Sequence, residues 1–134
     1  MIVVDTNIIA YRFIAGDKTD LACSVQKKDS EWIVPVLWRH EFLNVLATMT
    51  RANIIHAGEA CTIWRSALHV LQHHERPTMY ERALCCAVDF SISAYDAEYI
   101  ALAQQMKVRC ITEDMRLLKT FPDIAASMRM FLAE

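Results

Sequence analysis

Ile2-Val3-Val4 runs without a polar break into Asp5, and this junction constrains the fold more than any other feature of the chain. A strand with one face in water alternates apolar and polar residues. Three consecutive β-formers without alternation read instead as a strand covered on both faces, the pattern of a parallel sheet between helical layers. A carboxylate at the end of such a strand is costly unless something pairs with it. In open α/β sheets, binding sites lie beyond the carboxyl ends of the strands, which is where Asp5 falls.

The rest of the chain supports that class. Strand-like runs at 32–34, 108–111 and 128–132 alternate with helical patterns at 7–15, 18–28, 80–89 and from Ser93 onward, an N-capping residue. A helical turn is expected at 115–119. Pro35 opens a helix with Leu37, Trp38, Phe42, Val45, Leu46 and Met49 on one stripe, and a second helix follows through Cys61, Trp64, Leu68 and Leu71. Residues 35–51 and 59–74 thus form a helical hairpin inserted into an α/β sandwich. With 134 residues and no linker or repeat, one domain over 1–134 is expected.

Composition removes several functions. The chain has only two glycines, Gly16 and Gly58, so neither GxxxxGK[ST] nor GxGxxG is present to cradle phosphates. A formal charge of −2 provides no global basic field. No apolar run approaches a membrane span, and the N-terminus lacks a basic signal-peptide region. Five cysteines without a CxxC pair, among apolar neighbours, read as buried reduced thiols of a cytoplasmic protein. His69 and His73 have no third ligand nearby and read as exposed residues near a helix end; His40 lies beside Glu41.

Four acids in separate segments share one expected location. Asp5 closes the first strand, Asp114 follows VRCITE, and Glu41 and Asp96 lie in the first turns of helices. Capping accounts for Asp5, Asp96 and Asp114 singly. As a group they need more: two carboxylates about 4 Å apart repel by roughly 4 kcal/mol at an effective dielectric near 20. A hard cation, Mg²⁺ or Mn²⁺, suits an all-oxygen set of this kind. Thr6, Asn7 and Thr112 either orient these acids or cap helices, and Asn44 shares the helical face of Glu41. Arg12, Arg39 and Arg116 lie close to acidic blocks and are candidates for steadying phosphates around the site.

VVDTNIIAY, Glu41 in HEFLNVL, YDAEYIALA and ITEDMRLL, in that order, resemble the PIN-domain ribonucleases, and within them the VapC-type toxins of bacterial toxin–antitoxin pairs. The resemblance covers essentially the whole chain. It implies an α/β/α domain with a parallel sheet of about five strands and a metal-dependent endoribonuclease site. Asp5, Glu41, Asp96 and Asp114 fall on the family's acidic positions, Thr112 on the hydroxyl position before the last acid, and Asn7 on the polar position after the first. Glu113 is an added acid whose direction stays open. The resemblance further implies homodimers and an antitoxin partner of VapB type. The alternative is a catalytically silent PIN fold that binds RNA or an antitoxin. Aspartyl phosphoryl transfer ranks behind both, because Asp5-Thr6-Asn7 lacks the D-x-D pattern.

Overall fold

The computed structural model describes residues 1–134. Strand β1 (Ile2–Val4) leads into helix α1 (Thr6–Phe13), followed by α2 (Thr19–Lys28) and β2 (Trp32–Ile33). Helices α3 (Trp38–Arg51), α4 (Ala57–Leu71), α5 (Tyr80–Phe90) and α6 (Ala94–Met106) come next. The chain ends through β3 (Cys110–Ile111), α7 (Met115–Thr120), β4 (Ala125–Ala126) and α8 (Met128–Ala133). All strands are parallel, in the order β2-β1-β3-β4.

The pleat sorts side chains into two cores. Ile2, Val4, Trp32, Val34, Ile111 and Ala126 enter the core filled by α1, α2, α3, α4 and α8. Val3, Ile33, Cys110 and Ala125 face the opposite core with α5, α6 and α7. Strict period-two alternation between two buried faces explains why these strands carry no polar alternation. The hairpin of α3 and α4 closes the first core, with Trp38 and Trp64 stacked at 5.4 Å between ring centroids.

The sheet has four strands rather than about five. Residues 128–132, expected as a strand, form helix α8, because the Ser127 hydroxyl caps the Met130 N–H at 3.1 Å and Met128 and Phe131 point inward together. A short apolar run fits either period, and the N-cap decides it. The last strand is instead Ala125–Ala126, which alanine's weak β-propensity hides. The turn at Pro35 is followed by helix only from Trp38. All five cysteines are free, but only Cys86 and Cys110 are buried; Cys61 and Cys85 are exposed. His69 and His73 are exposed.

With glycine scarce, left-handed backbone falls to Asn53, Ser91 and Lys107, the last two as C-caps of α5 and α6. A side chain at such a φ costs roughly 1–2 kcal/mol. Lys107→Gly is therefore expected to raise unfolding stability by about 1 kcal/mol in denaturant titration.

Candidate active site

The site grows from the middle of the sheet. β1 and β3 are neighbours with Val4 opposite Ile111, so the next residues of each, Asp5 and Thr112, emerge side by side. The Asp5 N–H closes the ladder on the Ile111 carbonyl at 3.0 Å. Its side chain then caps α1, with Oδ1 accepting from the Thr6 N–H at 2.7 Å. Oδ2 accepts from the Thr112 hydroxyl at 2.8 Å and the Asn7 amide at 3.4 Å. Capping and site membership coincide in this one residue. Burial pushes the Asp5 carboxyl up to about 6 against the pull of the Thr112 and Thr6 hydrogen bonds, and the charges of Glu41 and Asp96 push it the same way.

Thr112, fully buried, links the two central strand ends to the last acid, since its Oγ1 also accepts from the Asp114 N–H at 3.1 Å. Asn7 completes the bracket: its amide reaches Thr112 Oγ1 at 3.4 Å and its carbonyl accepts from the Glu113 N–H at 3.3 Å. Asp114 caps α7 through Oδ1 and the Leu117 N–H at 3.0 Å. Glu113 is turned to the start of α8, where Oε1 accepts from the Met128 N–H at 2.9 Å.

Glu41 arrives from the first turn of α3. Its Oε1 accepts from the Thr6 hydroxyl at 2.9 Å and the Tyr99 hydroxyl at 2.7 Å. Asp96 stands in the first turn of α6, where its N–H bonds to Ser93 Oγ at 3.0 Å. Partial burial raises the Asp96 carboxyl, as do the charges of Asp114 and Glu41; the Ser93 hydroxyl and Arg116 act in the opposite sense. Charge coupling therefore links Asp5 to Glu41 and Asp96, and Asp96 to Glu41 and Asp114.

Two participants were not visible in the sequence. Tyr99 reads as a core residue of α6 and is fully buried, yet its hydroxyl meets Glu41 and Thr6. Its spacing of three from Asp96, which places both on one helical face, is the signal that could have found it. Glu98, half-buried, has its carboxyl raised by burial and by the Glu41 charge.

The basic candidates separate. Arg116 bonds to the Ser91 carbonyl, and its charge acts on Asp96. Arg39 is held bidentately by Glu75, at 2.6 and 2.8 Å, with the Trp38 indole N–H on the same carboxylate at 2.9 Å. Arg12 lies on the last turn of α1, about 9 Å along the axis from Thr6. There it bonds to Gln26 and lines an open cleft with Arg65 and His69. Asn44 is exposed and its side chain makes no hydrogen bond, and His40 is exposed as well.

None of the four acids forms a salt bridge. The donors are oxygens only, and by type they fit a hard divalent cation. As the side chains stand, no group of three His, Cys, Asp or Glu is close enough to hold a metal ion. Asp5, Glu41 and Asp114 each have an oxygen turned to a hydroxyl or a helix N–H.

The model of the PIN domain family matches residues 2–122. The chain belongs to the PIN domain family. This PIN domain is 25% identical over 125 residues to Ribonuclease VapC3 of Pyrobaculum aerophilum, covering 90% of this chain and 95% of that protein. Its fold is similar to the crystal structure of PAE2754 from Pyrobaculum aerophilum, with a TM-score of 0.78 and 19% identity over 98% of this chain and 93% of that one. It is similar also to FitAcB from Neisseria gonorrhoeae, with a TM-score of 0.71 and 15% identity over 96% and 99% of the respective chains. No helix of this PIN domain is long and apolar enough to cross a membrane.

Asp5 yields a pH prediction. An acid that holds its proton more tightly when folded favours the folded state most below its unfolded value. That stability is lost as pH rises from 3.8 to about 6 and levels off above. In chelator, Asp5→Asn is expected to be more stable than wild type by about 1–3 kcal/mol at pH 7.5 and equal to it near pH 4. Thermal melts of the two proteins at both pH values provide the check.

Proposed function

We propose that this single PIN domain is a metal-dependent endoribonuclease of the cytoplasm, the toxin of a toxin–antitoxin pair. One observation carries the reading: four carboxylates from four separate segments stand on one sheet edge without a salt bridge. Similarity to a VapC ribonuclease supports RNA as the substrate. Asp5, Asp96 and Asp114 would hold Mg²⁺ or Mn²⁺, with Glu41 as a further ligand or as the base that orients water. The ion, when bound, supplies charge neutralisation and an acidified water.

The chain's own residues do the rest. Thr112, Asn7 and Thr6 keep the Asp5 carboxylate in one orientation, and Thr112 sets the backbone of Asp114 beside it. Arg116 is the basic residue positioned to receive a phosphate near Asp96, whereas Arg39 must leave Glu75 and Arg12 serves RNA only as it passes the far end of α1. Single-stranded or loop RNA suits an edge site of this kind, and hydrolysis leaves a 5′-phosphate and a 3′-hydroxyl. A VapB-type antitoxin is the expected silencing partner. A homodimer is supported by α5, where Tyr80, Leu84 and Val88 recur at helical spacing and are 73%, 60% and 70% exposed.

The silent-module reading draws on the absence of a converged three-ligand group. Labelled unstructured RNA, incubated with Mn²⁺, Mg²⁺ or EDTA, separates the two. Metal-dependent products that fall at least 100-fold in a folded Asp96→Asn variant are expected; tight RNA binding unaffected by chelator, with no product at any metal concentration, favours the silent module. Light scattering tests the dimer: Leu84→Asp with Val88→Asp is expected to yield monomer, and an unchanged mass rejects α5 as the interface.

A further inference from the structure

Glu41, Thr6 and Tyr99 form a closed triangle of oxygens. Thr6 Oγ1 and the Tyr99 hydroxyl lie 2.9 and 2.7 Å from the same Glu41 oxygen, Oε1, and 2.6 Å from each other. Three elements meet there, α1, α3 and α6, so the contact depends on how both helical layers pack on the sheet. Tyr99 is fully buried and Thr6 nearly so. A buried phenol hydroxyl needs a partner, and here it meets both Glu41 and Thr6. Glu41 Oε2 makes no hydrogen bond in return.

We infer that Tyr99 is a positioning residue that works with Thr6 to pin one oxygen of Glu41 and leave the other, Oε2, as the oxygen available to cation or water. The inference rests on the nuclease reading above. Two neutral hydroxyls, with two protons shared among the three contacts, suit this task better than an arginine or lysine would. They fix a carboxylate's direction without neutralising it, so its charge remains available to a cation. The role belongs to the phenol oxygen rather than the ring, because phenylalanine would fill the same buried space. It acts through Glu41 and does not touch the substrate.

The test uses Tyr99→Phe in wild-type and Glu41→Gln backgrounds, with Mn²⁺ binding by calorimetry and RNA cleavage measured in each. In the wild-type background, Mn²⁺ affinity and kcat are each expected to fall about 10-fold, with KM for RNA little changed. In Glu41→Gln the same change is expected to have little further effect, as for two residues that act as a unit. A metal-free readout accompanies these. The Glu41 carboxyl carbon resonance, assigned by its loss in Glu41→Gln, is expected to shift in Tyr99→Phe. Wild-type binding with an unmoved resonance overturns the inference, as does an equal loss in both backgrounds. Wild-type protein that neither binds Mn²⁺ nor cuts RNA overturns the nuclease reading instead, and the resonance then decides whether Tyr99 fixes Glu41.

Discussion

The hydrogen bond from the Thr112 hydroxyl to Asp5 Oδ2, 2.8 Å long and wholly buried, is the contact on which the rest of the site depends. It joins the ends of the two central strands one residue past their last ladder pair. The same hydroxyl accepts from the Asp114 N–H, so the strand that brings Thr112 also sets the start of α7. A carboxylate buried there without such donors would leave an uncompensated polar group, at a cost of several kcal/mol. With them, Asp5 is tolerated but held high, its carboxyl pushed up to about 6 by burial.

Around this point the acids occupy a graded series of environments. Asp5 is nearly buried, and Asp96, Glu41 and Asp114 are half-exposed. The side-chain ion pairs lie elsewhere, Arg39 on Glu75, Lys18 beside Glu113 and Arg109 on Glu134, while Arg116 acts on Asp96 without a salt bridge. Mutual repulsion is thus only partly offset at one edge of the sheet. Folding tolerates this because each acid there is supported locally, by a helix N-terminus, a hydroxyl or both. This is the electrostatic form that the proposed divalent ion would neutralise.

Capping and function are not competing accounts of these residues. Asp5 and Asp114 are true N-caps, and Ser93 caps the turn that presents Asp96. Helix starts after parallel strands necessarily gather on one sheet edge, so residues that begin helices are carried to a common place. At Asp114 the cap holds one oxygen, Oδ1, and leaves the other without a hydrogen bond, whereas at Asp5 the cap holds Oδ1 and Thr112 and Asn7 hold Oδ2.

Much of this was legible in the one-dimensional pattern. Ile2-Val3-Val4 without alternation dictated a strand covered on both faces, and the N-capping residues Ser93, Asp5 and Asp114 marked helix starts, because such signals act within a few residues. The four-strand count, the helical end of the chain and the exposed thiols were not legible. Short apolar runs carry no unique period, and burial depends on what packs opposite. Above all, only the tertiary structure decided the partners of the charged and hydroxyl groups. Tyr99 meets Glu41 across 58 residues and Arg39 meets Glu75 across 36, contacts set by which helical faces the sheet brings together. Sequence alone put Asp5 and Asp114 at helix caps and Glu41 and Asp96 in first helical turns; the packing of α3 on α1 and of α6 on β1 determined what holds Glu41, since a hydrogen bond of under 3 Å requires a position that no local pattern specifies.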